Sequence, residues 1–303
     1  MSASILRGRF LFAAGLALAL TAGADAARSA ATDSEPTPLQ GADVTIYVSV
    51  IDASGNPITD LTSVDFAIRE DGVDSEVVTA KRATEPLSVA LLADTSTRAE
   101  KFVPEMRAGF KTFIDAALTA APESQISLWE FGQAAVRIHN FTNDGEAIGK
   151  TAGRLFPKPR AASVLLEALY DTSQALSGRP SPRRAIIVVN IEPADEQSRQ
   201  EPQRINESLL RSRAQLWAVS MQNGQLANAT RDLALNALVR NAGGRREFIV
   251  AASALESYMR QYAAALTSQY EVTYRRSSRV GKIVQTGVRR EGARVIAGIA
   301  APQ

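Results

Sequence analysis

The residues of this sequence that are best suited to chemistry form one short run of oxygen-bearing side chains. The run consists of Asp94, Thr95, Ser96 and Thr97, followed by Arg98. It comes directly after residues 87–93, which are apolar except for Ser88 and are typical of a buried strand. Carboxylate and hydroxyl oxygens are the ligands that Mg²⁺ and Ca²⁺ prefer, whereas Asp and Ser are also favoured at the N-cap of a helix. The spacing alone leaves both interpretations, an ion site and a helix cap, open.

Short apolar runs alternate with helix-length amphipathic stretches through residues 85–267, and this alternation predicts the fold that positions the run. It is typical of a doubly wound, mostly parallel α/β sheet with helices on both faces. Further strands are predicted over 125–131, 184–190, 215–220 and 247–250. In an open parallel sheet, ligands bind outside the carboxyl ends of the strands. Residues 94–98 are therefore predicted to lie at the ligand-binding edge of the sheet.

Two β-rich segments flank this α/β region. Residues 42–84 begin with an apolar residue at every second position, and residues 268–303 return to such alternation around Tyr270. Alternation turns one face of each strand inward. The simplest architecture packs the two segments together as a small β-sandwich, with the α/β domain of residues 85–267 inserted between them.

Residues 1–26 are predicted to be an export signal. Two arginines precede an apolar run, which is followed by the small residues Ala24 and Ala26. The apolar run is shorter than the roughly 20 residues that a membrane-spanning helix needs. Residues 27–41 are rich in Ser, Thr and Pro and are predicted to be a flexible linker. The chain is therefore expected to be periplasmic or secreted, with no membrane span after cleavage of the signal.

Composition and motifs argue against several classes of function. The 34 Lys and Arg residues nearly balance the 32 Asp and Glu residues, so the charge does not favour nucleic-acid binding. The sequence has no Cys, which rules out disulfides and a cysteine-linked lipid anchor. His139 is the only histidine, and there is no nucleophile elbow, phosphate-binding loop or dinucleotide fingerprint. No catalytic group is predicted, and the chain is not expected to be an enzyme.

Residues 91–98 resemble the first metal-site loop of von Willebrand factor A domains, which reads Asp-x-Ser-x-Ser after an apolar strand. Residues 50–72 resemble the opening of exported bacterial proteins related to this family. The shared pattern includes Asp52-Ala53-Ser54-Gly55-Asn56-Pro57, Asp65-Phe66 and Glu70-Asp71-Gly72. The resemblance covers almost all of the chain after the predicted signal. It implies a von Willebrand A-like α/β fold and a protein that binds another macromolecule.

The resemblance also implies an ion site. Asp94 and Ser96 match the first two ligand positions of the family's first loop, and Ser163, just before a predicted helix, matches its second loop. In metal-dependent members of the family, an acidic group of the partner completes the coordination of the ion.

This sequence departs from the family pattern at two ligand positions. Arg98 stands where the first loop has its third ligand, a Ser, and the third loop has Glu192, or Asp195 beyond it, in place of an Asp directly after the strand. The Arg98 guanidinium repels a cation if it turns inward, and leaves the site unaffected if it faces solvent. The site is therefore predicted to be degenerate, and the pattern allows Mg²⁺ or Ca²⁺ without requiring either.

These interpretations predict an extracytoplasmic binding module of the adhesion or protein-interaction type. Thr95, Thr97 and Arg98 are expected to contact the partner, which is another protein or an extracellular macromolecule. The alternative is a structural or assembly protein of the cell envelope, in which the α/β domain is a scaffold and the β-sandwich makes the contacts. A hydrolase that uses Ser163 or Ser96 ranks below both, because no base is placed by the sequence.

Overall fold

The computed structural model describes residues 41–222, 229–276 and 281–302. The predicted export signal over 1–26, and the predicted linker up to residue 40, lie outside these residues. Within them, no helix combines the length and the apolar character that crossing a bilayer requires.

Strands and helices alternate in the middle of the described chain, and strands alone flank this region. The strands are β1 (Asp43–Ile51), β2 (Phe66–Glu70), β3 (Val73–Arg82), β4 (Leu87–Ala93), β5 (Gln125–Phe131), β6 (Ala135–Thr142), β7 (Arg183–Glu192), β8 (Ala214–Gln222), β9 (Arg246–Ile249), β10 (Tyr270–Arg275), β11 (Val284–Val288) and β12 (Arg294–Ile296). The helices are α1 (Val103–Ala120), α2 (Gly145–Ala152), α3 (Leu165–Ser177), α4 (Pro202–Ser212), α5 (Ala229–Ala242) and α6 (Leu255–Thr267).

Strands β4 to β9 form one six-stranded sheet in the order β6-β5-β4-β7-β8-β9. All neighbours in this sheet run parallel except β5 and β6, which are antiparallel. Every residue of the central strand β4 is buried, as a continuous apolar run in a sheet covered on both faces requires. The predicted α/β fold with a largely parallel sheet is confirmed.

Helices cover both faces of this sheet. Val89 and Leu91 of β4 share one hydrophobic core with α1 and α6, whereas Ala90 and Leu92 share the other with α3, α4 and α5. Successive side chains of a strand point to opposite faces, so one strand supplies both cores. The helices fill the two faces, and only the loops remain at the carboxyl ends of the strands.

The flanking strands form a second six-stranded sheet, in the order β11-β2-β3-β10-β1-β12, in which all neighbours are antiparallel. The predicted β-sandwich is not established, because this is a single, partly barrel-like sheet. The pairing of β10 with β3 shifts register between Thr273 and Tyr274, and such a bulge increases the local twist. One curved sheet thereby encloses a core that contains Val48, Phe66 and Val272.

A buried arginine fixes the place where the chain passes between the two sheets. Arg183, the first residue of β7, donates hydrogen bonds to the carbonyls of Glu85 and Leu266, at 2.5 and 2.6 Å. Glu85 lies just before β4, and Leu266 lies at the end of α6. Burial lowers the pKa of Arg183 to about 10. Its charge is stabilised there largely by carbonyl dipoles.

Gly244 lies against Leu216 of β8, and this contact gives a test of how the chain packs on the α/β sheet. A Cβ at Gly244 would lie 1.9 Å from the Leu216 carbonyl oxygen, so Gly244→Ala must displace backbone. We expect it to lower the free energy of unfolding by about 1–3 kcal/mol, as measured by urea denaturation. Gly149→Ala is the control, because this position in α2 has open space around it and Ala is favoured in a helix by about 0.5–1 kcal/mol. Equal stability of the two variants would contradict the packing described.

Candidate functional site

Asp94 ties the end of β4 to the end of β7. Its side chain is fully buried. Oδ1 accepts a hydrogen bond from the backbone N–H of Ser96 at 2.9 Å, and Oδ2 accepts one from the backbone N–H of Ile191 at 3.1 Å. Burial raises the pKa of Asp94, while these hydrogen bonds and the charge of Arg231 act in the opposite direction. Both carboxylate oxygens are therefore already engaged by the protein.

The helix-cap interpretation of this loop is not supported by the geometry. Ser96 is the N-cap residue of a short 3₁₀ helix over Thr97–Phe102, but its side chain makes no capping hydrogen bond. The Asp94 carboxylate reaches across to β7 instead of serving only its own loop. The loop is thus held by contacts to β7 and to the loop before α3.

Ser163 lies just before α3 and is buried. Its backbone N–H donates to the carbonyl of Asp195 at 2.8 Å, and its own carbonyl accepts from the backbone N–H of Gln197 at 2.8 Å. Its hydroxyl oxygen accepts a hydrogen bond from Nη1 of Arg231 at 2.9 Å. The second predicted loop is therefore paired with the loop that follows β7.

Glu192, the last residue of β7, is fully buried and faces cations. Its Oε1 accepts a hydrogen bond from Nδ2 of Asn190 at 2.9 Å and lies 2.8 Å from Nη2 of Arg231. Nη2 of Arg246 lies 3.7 Å from the same oxygen. Glu192 thus belongs to a buried ion cluster that also includes arginines from α5 and β9.

Arg231 is the centre of this cluster. It lies on α5, and only 1% of its side chain is exposed. Nη1 donates to Ser163 Oγ at 2.9 Å and to Glu196 Oε2 at 3.0 Å, while Nη2 donates to the Ile191 carbonyl at 2.6 Å. Burial by itself lowers the pKa of Arg231, but the carboxylates of Glu192, Asp94 and Glu196 more than offset this and raise it. The guanidinium is a permanent buried charge.

Sequence reasoning missed Arg231, although one signal pointed to it. Leu235, Leu238 and Val239 follow it at helical spacing and are buried in the core, so Arg231 lies on the inward face of α5. An arginine on an apolar helix face must find buried acceptors, because an unpaired buried charge is very costly.

The residues predicted to meet a partner divide into buried and exposed ones. Thr97 and Arg98 are exposed. Thr95 is fully buried and, in contrast to the expectation, does not reach the surface. Its carbonyl accepts from the Lys158 backbone N–H at 2.8 Å, and the absence of a side chain at Gly132 lets β5 approach it. The cation inside the site is Arg231, and Arg98 lies outside the ion cluster.

The residues at the predicted ion site do not fit a bound divalent ion as they stand. Asp94 uses both oxygens on backbone N–H groups, and the hydroxyl of Ser163 and a carboxylate oxygen of Glu192 accept from Arg231. Like charges about 4 Å apart repel by about 4 kcal/mol at an intermediate dielectric. Across the described ranges, no group of three or more His, Asp or Glu residues is placed to hold a metal ion.

The fold is that of a von Willebrand factor A domain. A von Willebrand factor type A protein from Catenulispora acidiphila superposes with a TM-score of 0.52 at 9% identity, over 89% of this chain and 67% of that one. The mussel byssus protein PTMP1, in a structure with a zinc-occupied MIDAS motif, superposes with a TM-score of 0.52 at 11% identity, over 65% of this chain. Identities this low establish a shared fold alone.

This chain spans half the length of PTMP1. No family model matches the sequence, and no curated protein sequence matches it either. The predicted resemblance to von Willebrand A domains is confirmed at the level of the fold.

The ion cluster predicts a large effect for a change of a single atom. Glu192→Gln keeps the shape of the side chain and removes its charge, so Arg231 and Arg246 lose their shared counter-ion. Breaking a buried pair from one side costs about 3–5 kcal/mol, and we expect a loss of this size in the free energy of unfolding from urea denaturation.

The matched control is Asp115→Asn, which breaks the pair with Lys111 on the exposed face of α1. Exposed pairs of this spacing contribute about 0.3–0.5 kcal/mol. Should Glu192→Gln cost no more than Asp115→Asn, the buried cluster would not constrain the loops.

Proposed function

We propose that this chain is an extracytoplasmic binding module that uses the strand-end loops of its von Willebrand A-like domain to bind another protein or an extracellular macromolecule. One observation carries the proposal: a buried, ion-paired interior lies beneath an exposed rim of loops. A rigid interior preorganises the rim, and preorganisation reduces the entropic cost of binding. A thread matrix protein is among the proteins that share the fold. Location outside the cytoplasm rests on the predicted signal at 1–26.

The rim is made of two neighbouring loops, residues 94–98 and 153–163. The backbone N–H of Thr97 donates to the Ala161 carbonyl at 3.0 Å, and the Thr97 hydroxyl donates to the same carbonyl at 3.2 Å. The Lys158 backbone N–H donates a further hydrogen bond to the Thr95 carbonyl. Because two of these three bonds run between main chains, the two loops present a single surface.

The exposed side chains of this rim are aromatic and basic. Phe156 is 54% exposed, and Nζ of Lys158 lies 4.3 Å from the centroid of its ring. Arg98 and Arg160 are also exposed. Aromatic residues and Arg are enriched at protein interfaces and among the residues that dominate their binding energy. The rim therefore favours a partner with acidic groups, which Arg98 would meet by charge-assisted hydrogen bonds.

The surroundings of the Ser163 hydroxyl support a function in binding and not in catalysis. The Ser163 hydroxyl is hydrogen-bonded to Arg231, and an arginine stays protonated and cannot act as a general base. Nδ1 of His139 is paired with the carbonyl of Asn140. The proposal therefore assigns no catalytic role to Ser163 or Ser96.

Arg98→Glu tests the proposal directly. A hydrogen bond to a charged group contributes about 1.5–3 kcal/mol, and each 1.4 kcal/mol changes affinity tenfold. We therefore expect the variant to recover at least about tenfold less partner from an envelope extract, as measured by quantitative mass spectrometry of a pull-down. Recovery by the unchanged chain is expected to be insensitive to a chelator, because the interior carries its own cation.

Two control variants separate this proposal from the alternative. Arg211→Glu makes the same charge change on an exposed residue in the last turn of α4, at the opposite end of the sheet, and should leave recovery unchanged. Val73→Asp alters an exposed apolar residue of the second sheet. If Val73→Asp abolishes recovery while Arg98→Glu has no effect, the chain is a structural or assembly protein that makes its contacts through that sheet.

A further inference from the structure

The partners of the buried Arg231 side chain are all oxygen atoms, and they come from several loops. They comprise the Ser163 hydroxyl, carboxylate oxygens of Glu192 and Glu196, and the main-chain carbonyl of Ile191. The Asp94 carboxylate acts on the same guanidinium through its charge. A hydroxyl, a carbonyl and carboxylates form the type of oxygen set that hard divalent cations bind.

The carboxylates of this cluster need a neighbouring cation, because they are buried and negatively charged. Glu192 and Glu196 supply two carboxylates in contact with Arg231, and the charge of Asp94 adds to theirs. The second arginine, Arg246, lies only 2.7 Å from its own partner Asp232. Glu192 is fully buried, and its Oε2 has no hydrogen-bond partner among the described residues. Removing Arg231 would therefore leave buried negative charge and unused oxygen ligands in the same place.

We propose that the Arg231 guanidinium is a built-in replacement for a divalent ion at the strand-end edge, so that the site is closed to metals as long as this side chain is present. Its removal should turn the cluster into a divalent-cation site formed by Glu192, Glu196, Ser163 and the Ile191 carbonyl. This inference goes beyond the proposed function, because neither part of it requires that the rim bind a partner.

Arg183 provides the matched control, since it is also a buried arginine. Its hydrogen bonds go mainly to main-chain carbonyls, among them those of Glu85 and Leu266, and no group of carboxylates surrounds it in the part of the chain described. Arg183→Ala should therefore lower stability without creating an ion site. The comparison separates replacement of an ion from the general cost of losing a buried cation.

The experiment combines thermal unfolding with titration calorimetry of the unchanged chain, Arg231→Ala and Arg183→Ala, each with Mg²⁺, Mn²⁺ and Ca²⁺. We expect no binding and no shift in Tm for the unchanged chain. Arg231→Ala should unfold at a lower temperature and bind at least one ion. At an ion concentration about 100-fold above Kd, its Tm should rise by roughly 5–10 °C. Adding Glu192→Gln to Arg231→Ala should abolish this rise.

Several results would overturn the proposal. Micromolar binding of any of the three ions to the unchanged chain, lost in Asp94→Asn, would show that Arg231 does not close the site. If Arg183→Ala showed an equal rise in Tm with an ion, the stabilisation would be a general result of losing a buried arginine. Should Arg231→Ala fail to fold, it is refolded with each ion present, alongside Arg231→Gln, which fills more of the space. If no ion stabilises or restores either variant, the proposal is wrong.

Discussion

The ion pairs of Arg231 are the interaction on which the strand-end edge of this protein depends. The guanidinium of α5 binds the end of β7 through Glu192 and Ile191, and the loop before α3 through Ser163. These segments are distant in sequence, and their contacts meet at one side chain. Because a buried charge without its partners is far more costly than any exposed contact, the loops are held in the arrangement that satisfies the guanidinium.

This constraint explains why the edge is buried and ion-paired inside and exposed at its rim. The Asp94 carboxylate accepts hydrogen bonds from backbone N–H groups of its own loop and of β7. These bonds fix the first loop to the sheet. Thr97 and Arg98 then remain at the surface, next to the exposed Phe156. The protein shares its fold with PTMP1, which has a zinc-occupied MIDAS motif in one structure, whereas the positive charge at the strand-end edge of this chain belongs to the side chain of Arg231.

The second sheet obeys a different constraint. Its strands come from both sides of the α/β domain, and β1 pairs with both β10 and β12. The chain must therefore enter and leave the α/β domain close together, and Arg183 hydrogen-bonds carbonyls at both crossings. The crossings between the two sheets and the ion cluster thus depend on separate arginines, Arg183 at the start of β7 and Arg231 beside its end.

The sequence by itself determined the strands and helices of the α/β region and the edge of the sheet at which the candidate site lies. The apolar run of residues 87–93 specified the buried central strand, and the polar residues after it placed Asp94 at the carboxyl edge, because strand periodicity and burial are local properties of a sequence. Only the tertiary structure decided that Thr95 is buried, that the flanking strands form one curved sheet, and that Arg231 is the cation of the site. Those outcomes depend on which distant segments come together when the fold closes, and local periodicity does not encode such pairing of charges.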